Sequence, residues 1–217
     1  MDMRKGQQTR SAILEQALAL ASRTGLAGLT IGSLAERSGL SKSGLFAHFG
    51  SKEGLQLAVI QGVRELYSRL VFQPAMQQPT GLPRLRAIVQ NWLEWTAGAK
   101  LPGGCIMTAA AHEFDDSPGA VRELVSQSLR ELRKTLARSV RMAVEAGQLR
   151  ADTDAEQLAF EICALYCGAQ LDARLFGDQR ASERALAAFE DLIERHRDGA
   201  PGRAVVRPLA APADAAH

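Results

Sequence analysis

Residues 29–55, LTIGSLAERSGLSKSGLFAHFGSKEGL, carry the clearest structural signal in the chain. They contain the signals of two short helices joined by a tight turn. Thr30 and Ser41 are residue types that cap helix N-termini, and Gly39 suits the left-handed conformation that ends a helix. Leu45 of the second helix can pack onto the apolar side of the first. Two short capped helices that pack across a turn predict a helix-turn-helix.

The second predicted helix presents its N-terminal half for contact with DNA. Small side chains there let the backbone approach the major groove, and His48 is expected to read bases because Ala47 offers only a methyl group. Hydroxyls and a lysine at the helix starts suit phosphate oxygens. Arg4 and Lys5 are expected to add salt-dependent contacts from the N-terminus. The predicted DNA-binding residues are Thr30, Ser41, Lys42, Ser43, Phe46, Ala47, His48 and Lys52.

The rest of the chain has the apolar period of 3.6 residues almost throughout, which predicts an all-α fold of about nine helices. Thr9 is expected to cap the first helix and Gly25 to end it. A fourth helix is predicted to begin after the cap Ser51 and to run to about Phe72, long enough to link two domains. Prolines and a glycine in residues 73–83 predict a break.

Further helix starts are predicted from capping patterns. Ser117-Pro118 suits an N-cap followed by proline at the first helical position. Thr153-x-x-Glu156 reads as a capping box that opens a helix to about residue 176, and a last helix is expected over roughly 182–197. The domain boundaries expected are 1–54 for the helix-turn-helix domain, 55–198 for a larger helical domain and 199–217 for a disordered tail.

Composition narrows the class of protein. The 217 residues are 46% hydrophobic and 23% charged, as in ordinary globular proteins. The formal net charge of +2 divides into +3 for residues 1–54 and −1 for the remainder, so the basic excess lies where DNA binding is predicted. No apolar run is long enough to cross a membrane, and a cytoplasmic location is expected. Three cysteines without CxxC spacing predict neither a disulfide framework nor a zinc site.

Residues 29–55 resemble the helix-turn-helix of the TetR-like transcriptional regulators, and the resemblance continues through the Ser51-Lys52-Glu53 start of the fourth helix. It covers residues 9–60 approximately. Residues 147–152, GQLRAD, are similar to a common turn between the seventh and eighth helices of that family, and residues 103–122 resemble one of its C-terminal subtypes. Many relatives have tyrosine where Phe46 stands and lysine where Gly50 stands, so two phosphate contacts common in the family are lost or moved here.

The resemblance implies a repressor that binds a palindromic operator as a homodimer, through helices at about 153–177 and 182–197. It also implies an effector, here a small apolar molecule, which binds within residues 82–176 and changes the spacing of the two DNA-binding domains. Apolar aromatic residues with a few polar groups can line such a pocket, although the same spacing also fits a plain core. The candidate ligand-binding residues are Trp92, Trp95, Cys105, Met107, Phe114, Phe160, Tyr166 and Gln170.

Two alternatives use other residues. His112, Glu113, Asp115 and Asp116 could serve a metal-dependent enzyme, but their consecutive placement fits a solvated loop better. Cys163 and Cys167 are spaced four residues apart and could act as thiol sensors on the same scaffold, although buried packing is the simpler interpretation. We expect no catalytic residue, cofactor or metal. A basic helix face is expected to be solvated; it consists of Arg130, Arg133, Lys134, Arg138 and Arg141.

Overall fold

The computed structural model describes residues 2–197, and for residues 2–8 it describes the backbone alone. Helices and turns fill this range without a strand, as the apolar period predicts. The predicted disordered tail and the side chains of Arg4 and Lys5 lie outside the described residues. Nine helices are described: α1 (Asp2–Thr24), α2 (Ile31–Ser38), α3 (Lys42–Phe49), α4 (Lys52–Tyr67, extended to Ala75), α5 (Leu82–Gly98), α6 (Ile106–Glu113), α7 (Ala120–Glu145), α8 (Ala155–Leu171, extended to Phe176) and α9 (Ala181–Glu194).

Helices α1 to α3 form a compact N-terminal unit, called the head below. The predicted caps of α2 and α3 are confirmed. The Thr30 hydroxyl accepts a 3.0 Å hydrogen bond from the Ser33 amide, and Ser33 Oγ accepts one of 3.1 Å from the Thr30 amide. The Ser41 hydroxyl accepts from the amide of Gly44 at 3.1 Å. Gly39 has a φ of 69°, which a side chain would disfavour, so it ends α2 and fixes the tight turn.

The first helix is longer than the sequence predicts. It begins at Asp2, so Thr9 lies inside the helix and the predicted N-cap at Thr9 is wrong. A threonine caps a helix only where the preceding residues leave the helical conformation, and no proline in residues 2–8 forces them to do so. The end of α1 is as predicted, since Gly25 follows Thr24 with a φ of 77°.

Helix α4 continues past the predicted end. After Lys52–Tyr67 comes one π-helical turn, Ser68–Phe72, and then a last α-helical turn, Gln73–Ala75. The predicted break at residue 73 is therefore displaced by three residues. Pro74 is accommodated because it lies in the first turn of that last segment. At this position the amide hydrogen that proline lacks would have no partner within the segment. Asn91 of α5 donates to the carbonyl oxygen of Val71 at 3.1 Å and satisfies part of the widened turn.

Three other helix ends also differ from the prediction. Helix α7 begins at Ala120 after Gly119, whose φ of 136° breaks the helix that Ser117-Pro118 was expected to start. Helix α8 is capped by Asp154 rather than Thr153, because the Asp154 carboxylate accepts from the amides of Glu156 and Gln157 at 3.0 Å. The last helix ends at Glu194, three residues early.

The helices share one contiguous apolar core that runs from the head to the C-terminal helices. Leu34 and Leu45 in the head and Phe189 in α9 are all fully buried members of it. Arg86 of α5 forms a two-pronged ion pair with Glu190 of α9, with nitrogen–oxygen distances of 2.8–3.0 Å. Helix α4 packs against both α1 and α7, so it connects the head to the larger body.

Candidate functional site

Helix α3 presents a polar and aromatic face to solvent over its first six residues. Lys42, Ser43, Phe46 and Ala47 are exposed, while Leu45 is fully buried against the head core. Phe46 is 58% exposed, which is unusual for a large aromatic side chain and leaves its ring available for contact. An exposed helix of this shape beside a packed partner helix has the geometry that enters a major groove.

His48 is less accessible than the residues around it. It is half-buried, and its ring lies beside Phe49 with 6.3 Å between ring centroids. The guanidinium of Arg10 in α1 lies over the Phe49 ring, 5.5 Å from the ring centroid. The end of α3 is therefore held by packing, and its N-terminal half is the freer surface.

The hydroxyls predicted to contact phosphates already have a structural role. Thr30 Oγ1 is bonded to Ser33, and Ser41 Oγ lies 3.2 Å from Ser43 Oγ as well as capping α3. A hydroxyl has one donor and two acceptor sites. A hydroxyl that caps a helix can therefore contact a phosphate only through a site that the cap does not use. Lys52, exposed at the first position of α4, has no such constraint on its ammonium group.

The turn between α1 and α2 is held by side chains from the larger body. Glu113, the last residue of α6, accepts a 2.7 Å hydrogen bond from the amide of Ala27. Gln56 of α4 is buried and donates to the carbonyl oxygen of Leu26 at 2.8 Å. The head is thus attached to α4 and α6 directly before the start of α2, and a movement of either helix would displace it.

A central cavity of about 230 Å³ lies among α4, α5, α6, α7 and α8. Its walls are mainly apolar and aromatic, with a few hydroxyls and one ion pair. Arg64 of α4 and Glu131 of α7 form that pair at 2.9 Å. The lining residues are Val63, Arg64, Tyr67, Ser68, Phe72, Trp92, Trp95, Cys105, Met107, Thr108, Ser128, Leu129, Glu131, Leu132, Thr135 and Tyr166.

Some of the candidate ligand-binding residues meet at this cavity and others do not. Trp92, Trp95, Cys105, Met107 and Tyr166 line it. The remaining three candidates lie elsewhere. Phe160 is on the outer surface of α8, Gln170 accepts a 3.4 Å hydrogen bond from the Cys105 amide, and Phe114 is half-buried at the end of α6.

Sequence reasoning missed the contribution of α4. The effector region was placed at residues 82–176, yet Val63, Arg64, Tyr67, Ser68 and Phe72 form one wall of the cavity. The last two belong to the π-helical turn, a distortion that is common at functional sites. A long helix with polar and aromatic residues on its otherwise apolar face was the available signal.

The acidic cluster after α6 does not assemble a metal site. Glu113 is bonded to the Ala27 amide, and Asp115 accepts from the amide of Asp116 at 2.9 Å. Among the side chains that the structure describes, residues 9–197, no group of three or more His, Cys, Asp or Glu is placed to hold a metal ion. Within the same range, no helix is long and apolar enough to cross a membrane.

The outer face of α8 is apolar. Phe160 and Leu171 are each about half exposed, and Leu175 and Phe176 are each 70% exposed. Cys167 is exposed between them, and Cys163 is half-buried. Part of the basic face of α7 lies alongside, since the Arg133 guanidinium is 5.7 Å from the Phe160 ring centroid and Arg141 pairs with Glu156 at 3.1 Å. We call Phe160, Cys167, Leu171, Leu175 and Phe176 the α8 surface.

A helix-turn-helix head on a helical body with an internal cavity is the architecture of a ligand-responsive class of DNA-binding regulators. Residues 13–59 match the family model described as bacterial regulatory proteins, tetR family. Residues 81–189 match the model described as tetracyclin repressor-like, C-terminal domain. The chain belongs to the TetR family and is a DNA-binding transcriptional regulator rather than an enzyme.

Individual transcriptional regulators are also similar to this chain in sequence or in structure. The HTH-type transcriptional regulator TtgR of Pseudomonas putida is 25% identical over 167 residues, which span 76% of this chain and 79% of that protein. A TetR transcriptional regulator from Chloroflexus aurantiacus has a similar structure, with a TM-score of 0.77, 30% identity and coverage of 89% and 98% of the two chains. A cysteine mutant of the regulator CifR, solved with a 26-bp double-strand operator DNA, has a TM-score of 0.70 at 23% identity, covering 85% and 94%.

Proposed function

We propose that this protein is a repressor that binds a palindromic operator as a homodimer and releases it when a small apolar effector occupies the central cavity. The observation that carries the proposal is that α4 forms one wall of the cavity and begins directly after the head. A ligand in the cavity would therefore act on the helix that positions α3. We also propose the predicted division at residue 54, with the protein acting in the cytoplasm, where its DNA is found.

The contacts that α4 and α6 make with the head support the proposal that a ligand in the cavity displaces α3. Gln56 holds the turn before α2 from one side, and Glu113 holds it from the other. Both helices also line the cavity, α4 through Tyr67 and α6 through Met107. Two heads in a dimer must match successive major grooves, which are about 34–36 Å apart, so a small displacement of each head lowers operator affinity.

The α8 surface supports the homodimer. A contiguous exposed apolar face on a regulator of this size is typical of a protein interface. It lies in the segment where the family resemblance places subunit contact. We expect Leu171→Glu, which adds a charge at the centre of this surface, to give a monomer with much weaker operator binding. Met76→Glu, which changes an exposed apolar residue elsewhere, is the matched control and should leave the dimer intact.

The first experiment is selection of bound sequences from a random DNA pool by the purified protein, with its size measured alongside. We expect a palindromic motif bound by a dimer. A dimer that enriches no motif, or a motif without two-fold symmetry, would contradict the proposed operator binding.

The effector role is tested by blocking the cavity. With the selected operator, a screen of small apolar compounds should find ones that release the protein from DNA. Leu129→Trp places a large ring in the cavity and should abolish release without weakening operator binding. Leu124→Trp, on the same helix but outside the cavity lining, is the control and should respond as the unchanged protein does.

The thiol-sensor alternative has weaker support. Burial raises the pKa of Cys163, and partial desolvation of the thiol raises the pKa of Cys167 although that residue lies at the surface. At neutral pH each therefore forms less thiolate than an unperturbed thiol, and the fraction grows as pH rises. We therefore expect slow alkylation of both at neutral pH, measured by mass spectrometry. Oxidant should leave operator affinity equal in the unchanged protein and in the Cys163→Ser and Cys167→Ser variants; a loss that these substitutions prevent would favour the sensor.

A further inference from the structure

Aromatic rings form much of the lining of the central cavity. All the tryptophans and tyrosines of the sequence, Trp92, Trp95, Tyr67 and Tyr166, line it. Trp92 and Tyr166 are stacked with ring centroids 4.1 Å apart. The ring of Tyr67 stands edge-on to both tryptophans, with centroid distances of 6.1 and 5.6 Å. The four rings thus form one aromatic wall of the cavity, against which a flat aromatic ligand can pack in offset or edge-to-face geometry.

The two tyrosine hydroxyls differ in their hydrogen bonding. Trp95 Nε1 donates to the Tyr166 hydroxyl at 2.8 Å. The Tyr67 hydroxyl oxygen is buried, yet it has no hydrogen-bond partner in the described part of the chain. Buried polar groups nearly always have a partner, and leaving one unpaired is costly. A ligand's acceptor atom would therefore gain more binding free energy from the Tyr67 hydroxyl than from the Tyr166 hydroxyl, which already has a partner.

The charge of the lining indicates an uncharged ligand. Arg64 and Glu131, the charged residues among the described lining, neutralise each other at 2.9 Å. Burial raises the pKa of Tyr67 and that of Tyr166 well above the ordinary value, so both hydroxyls stay neutral at physiological pH. A charged ligand would have to break the ion pair or lose its hydration without compensation.

We propose that the cavity takes a compact, uncharged aromatic molecule with a hydrogen-bond acceptor, and that Tyr67 is its specificity-determining residue. This deepens the proposed function, because it names the chemical class of the effector. The volume of about 230 Å³ is below the ~300 Å³ lower end typical of ligand pockets, which restricts the ligand to a small ring system. Its ring packs among Trp92, Trp95 and Tyr166, and its acceptor atom accepts a hydrogen bond from the Tyr67 hydroxyl.

The test uses the purified full chain and ring compounds of equal shape. Quinoline and isoquinoline carry one ring nitrogen as an acceptor, and naphthalene is the same shape without one. We expect calorimetry at pH 8 to show that at least one of the nitrogen compounds binds about 3- to 10-fold more tightly than naphthalene, the range for one net hydrogen bond. The anion 2-naphthoate should bind more weakly than all three.

The variants separate the hydroxyl from the ring. Tyr67→Phe should abolish the preference for nitrogen while leaving naphthalene affinity within about twofold, a change too small to reflect a lost hydrogen bond. Thr153→Val is the matched control; it removes a buried hydroxyl that also has no hydrogen-bond partner among the described residues, but it lies outside the cavity lining and should keep the preference. The comparison in the unchanged protein does not depend on whether either variant folds.

Equal affinities for quinoline, isoquinoline and naphthalene in the unchanged protein would overturn the proposal, as would tight binding of 2-naphthoate or no binding of any compound. A preference that survives in folded Tyr67→Phe would also overturn the role of Tyr67. Because calorimetry needs no DNA, the proposed function fails separately: compounds that bind as expected but leave the selected operator bound would contradict the effector role and leave the ligand class standing.

Discussion

The head and the central cavity draw their residues from very different lengths of chain. The proposed DNA contacts lie within residues 30–52, on two adjacent helices and the first turn of a third. The cavity lining spans residues 63–166 and comes from five helices. The head is defined by caps and turns that act over three or four residues. The cavity exists only where long helices cross, so its shape depends on how they pack.

Because of this difference, mutations in the head and mutations in the larger body should act in different ways. A change in the head acts through local helix stability or through the exposed face of α3. A change in the larger body acts through packing and through the two side chains, Gln56 and Glu113, that hold the turn before α2. Substitutions in the two regions should therefore separate effects on local stability and DNA contact from effects on the response to an effector.

Leu45→Ala should have the largest effect. Leu45 is fully buried, and truncation of such a leucine costs about 2–5 kcal/mol. We expect a lower free energy of unfolding and loss of operator binding, measured by urea denaturation and by titration of operator DNA. The adjacent Phe46→Ala is the control: since Phe46 is exposed, it should change stability by at most about 0.5 kcal/mol while weakening DNA binding. Equal destabilisation by both would contradict the assigned faces of α3.

Ser41→Ala removes the N-cap of α3 and should lower the free energy of unfolding by about 1 kcal/mol. Ser41→Asp keeps a capping oxygen but adds a negative charge beside the DNA phosphates. The two variants should therefore diverge: the aspartate variant should be as stable as the unchanged protein yet bind DNA poorly. If both bind DNA equally well, Ser41 does not face the phosphates.

Glu113→Ala tests the connection between the two regions. Removal of the hydrogen bond to the Ala27 amide should cost about 1 kcal/mol of stability. We also expect the ratio of operator affinities without and with effector to fall by about 3- to 10-fold, because α6 no longer holds the turn before α2. The neighbouring Asp116→Ala should change neither quantity, and an unchanged ratio in Glu113→Ala would place the connection in α4 alone.

Lys52→Ala and His48→Ala should have the smallest effects and should differ in kind. Loss of one phosphate contact weakens binding on all sequences and lowers the slope of log affinity against log salt by about 0.9. His48→Ala should instead change which sequences are selected. His48 is half-buried, so we expect a modest change in preference. Equal losses on specific and random DNA for both variants would reject the division into phosphate and base contacts.

Local signals predicted α2, α3 and the start of α4 well, and the rest of the chain less well. The caps at Thr30, Ser41 and Ser51 are confirmed, because a hydroxyl near a free amide needs no distant residue. Capping patterns failed at Thr9 and Thr153. In each case a neighbouring segment offered a better solution: a helix that simply continues, or the carboxylate of Asp154 one residue later.

The cavity shows the same limit. Tryptophans and Tyr166 were predicted as lining residues from composition, but Phe160 lies on the outer surface of α8 because its position along the helix turns it away from the core. The polar and aromatic residues on the apolar face of α4 were a signal for the α4 wall, but nothing in the sequence distinguished Tyr67, whose hydroxyl has no hydrogen-bond partner in the described part of the chain, from the other residues of that helix.

The helical class and the exposed face of α3 could be predicted from periodicity and from capping residues a few positions apart, and the resemblance to the family rests on the motif in residues 29–55. That α4 and α6 hold the head at Gln56 and Glu113, and that side chains from five helices line one cavity, depends on tertiary packing. Caps and turns are set by residues a few positions away, whereas helix crossings are set by the packing of the whole core.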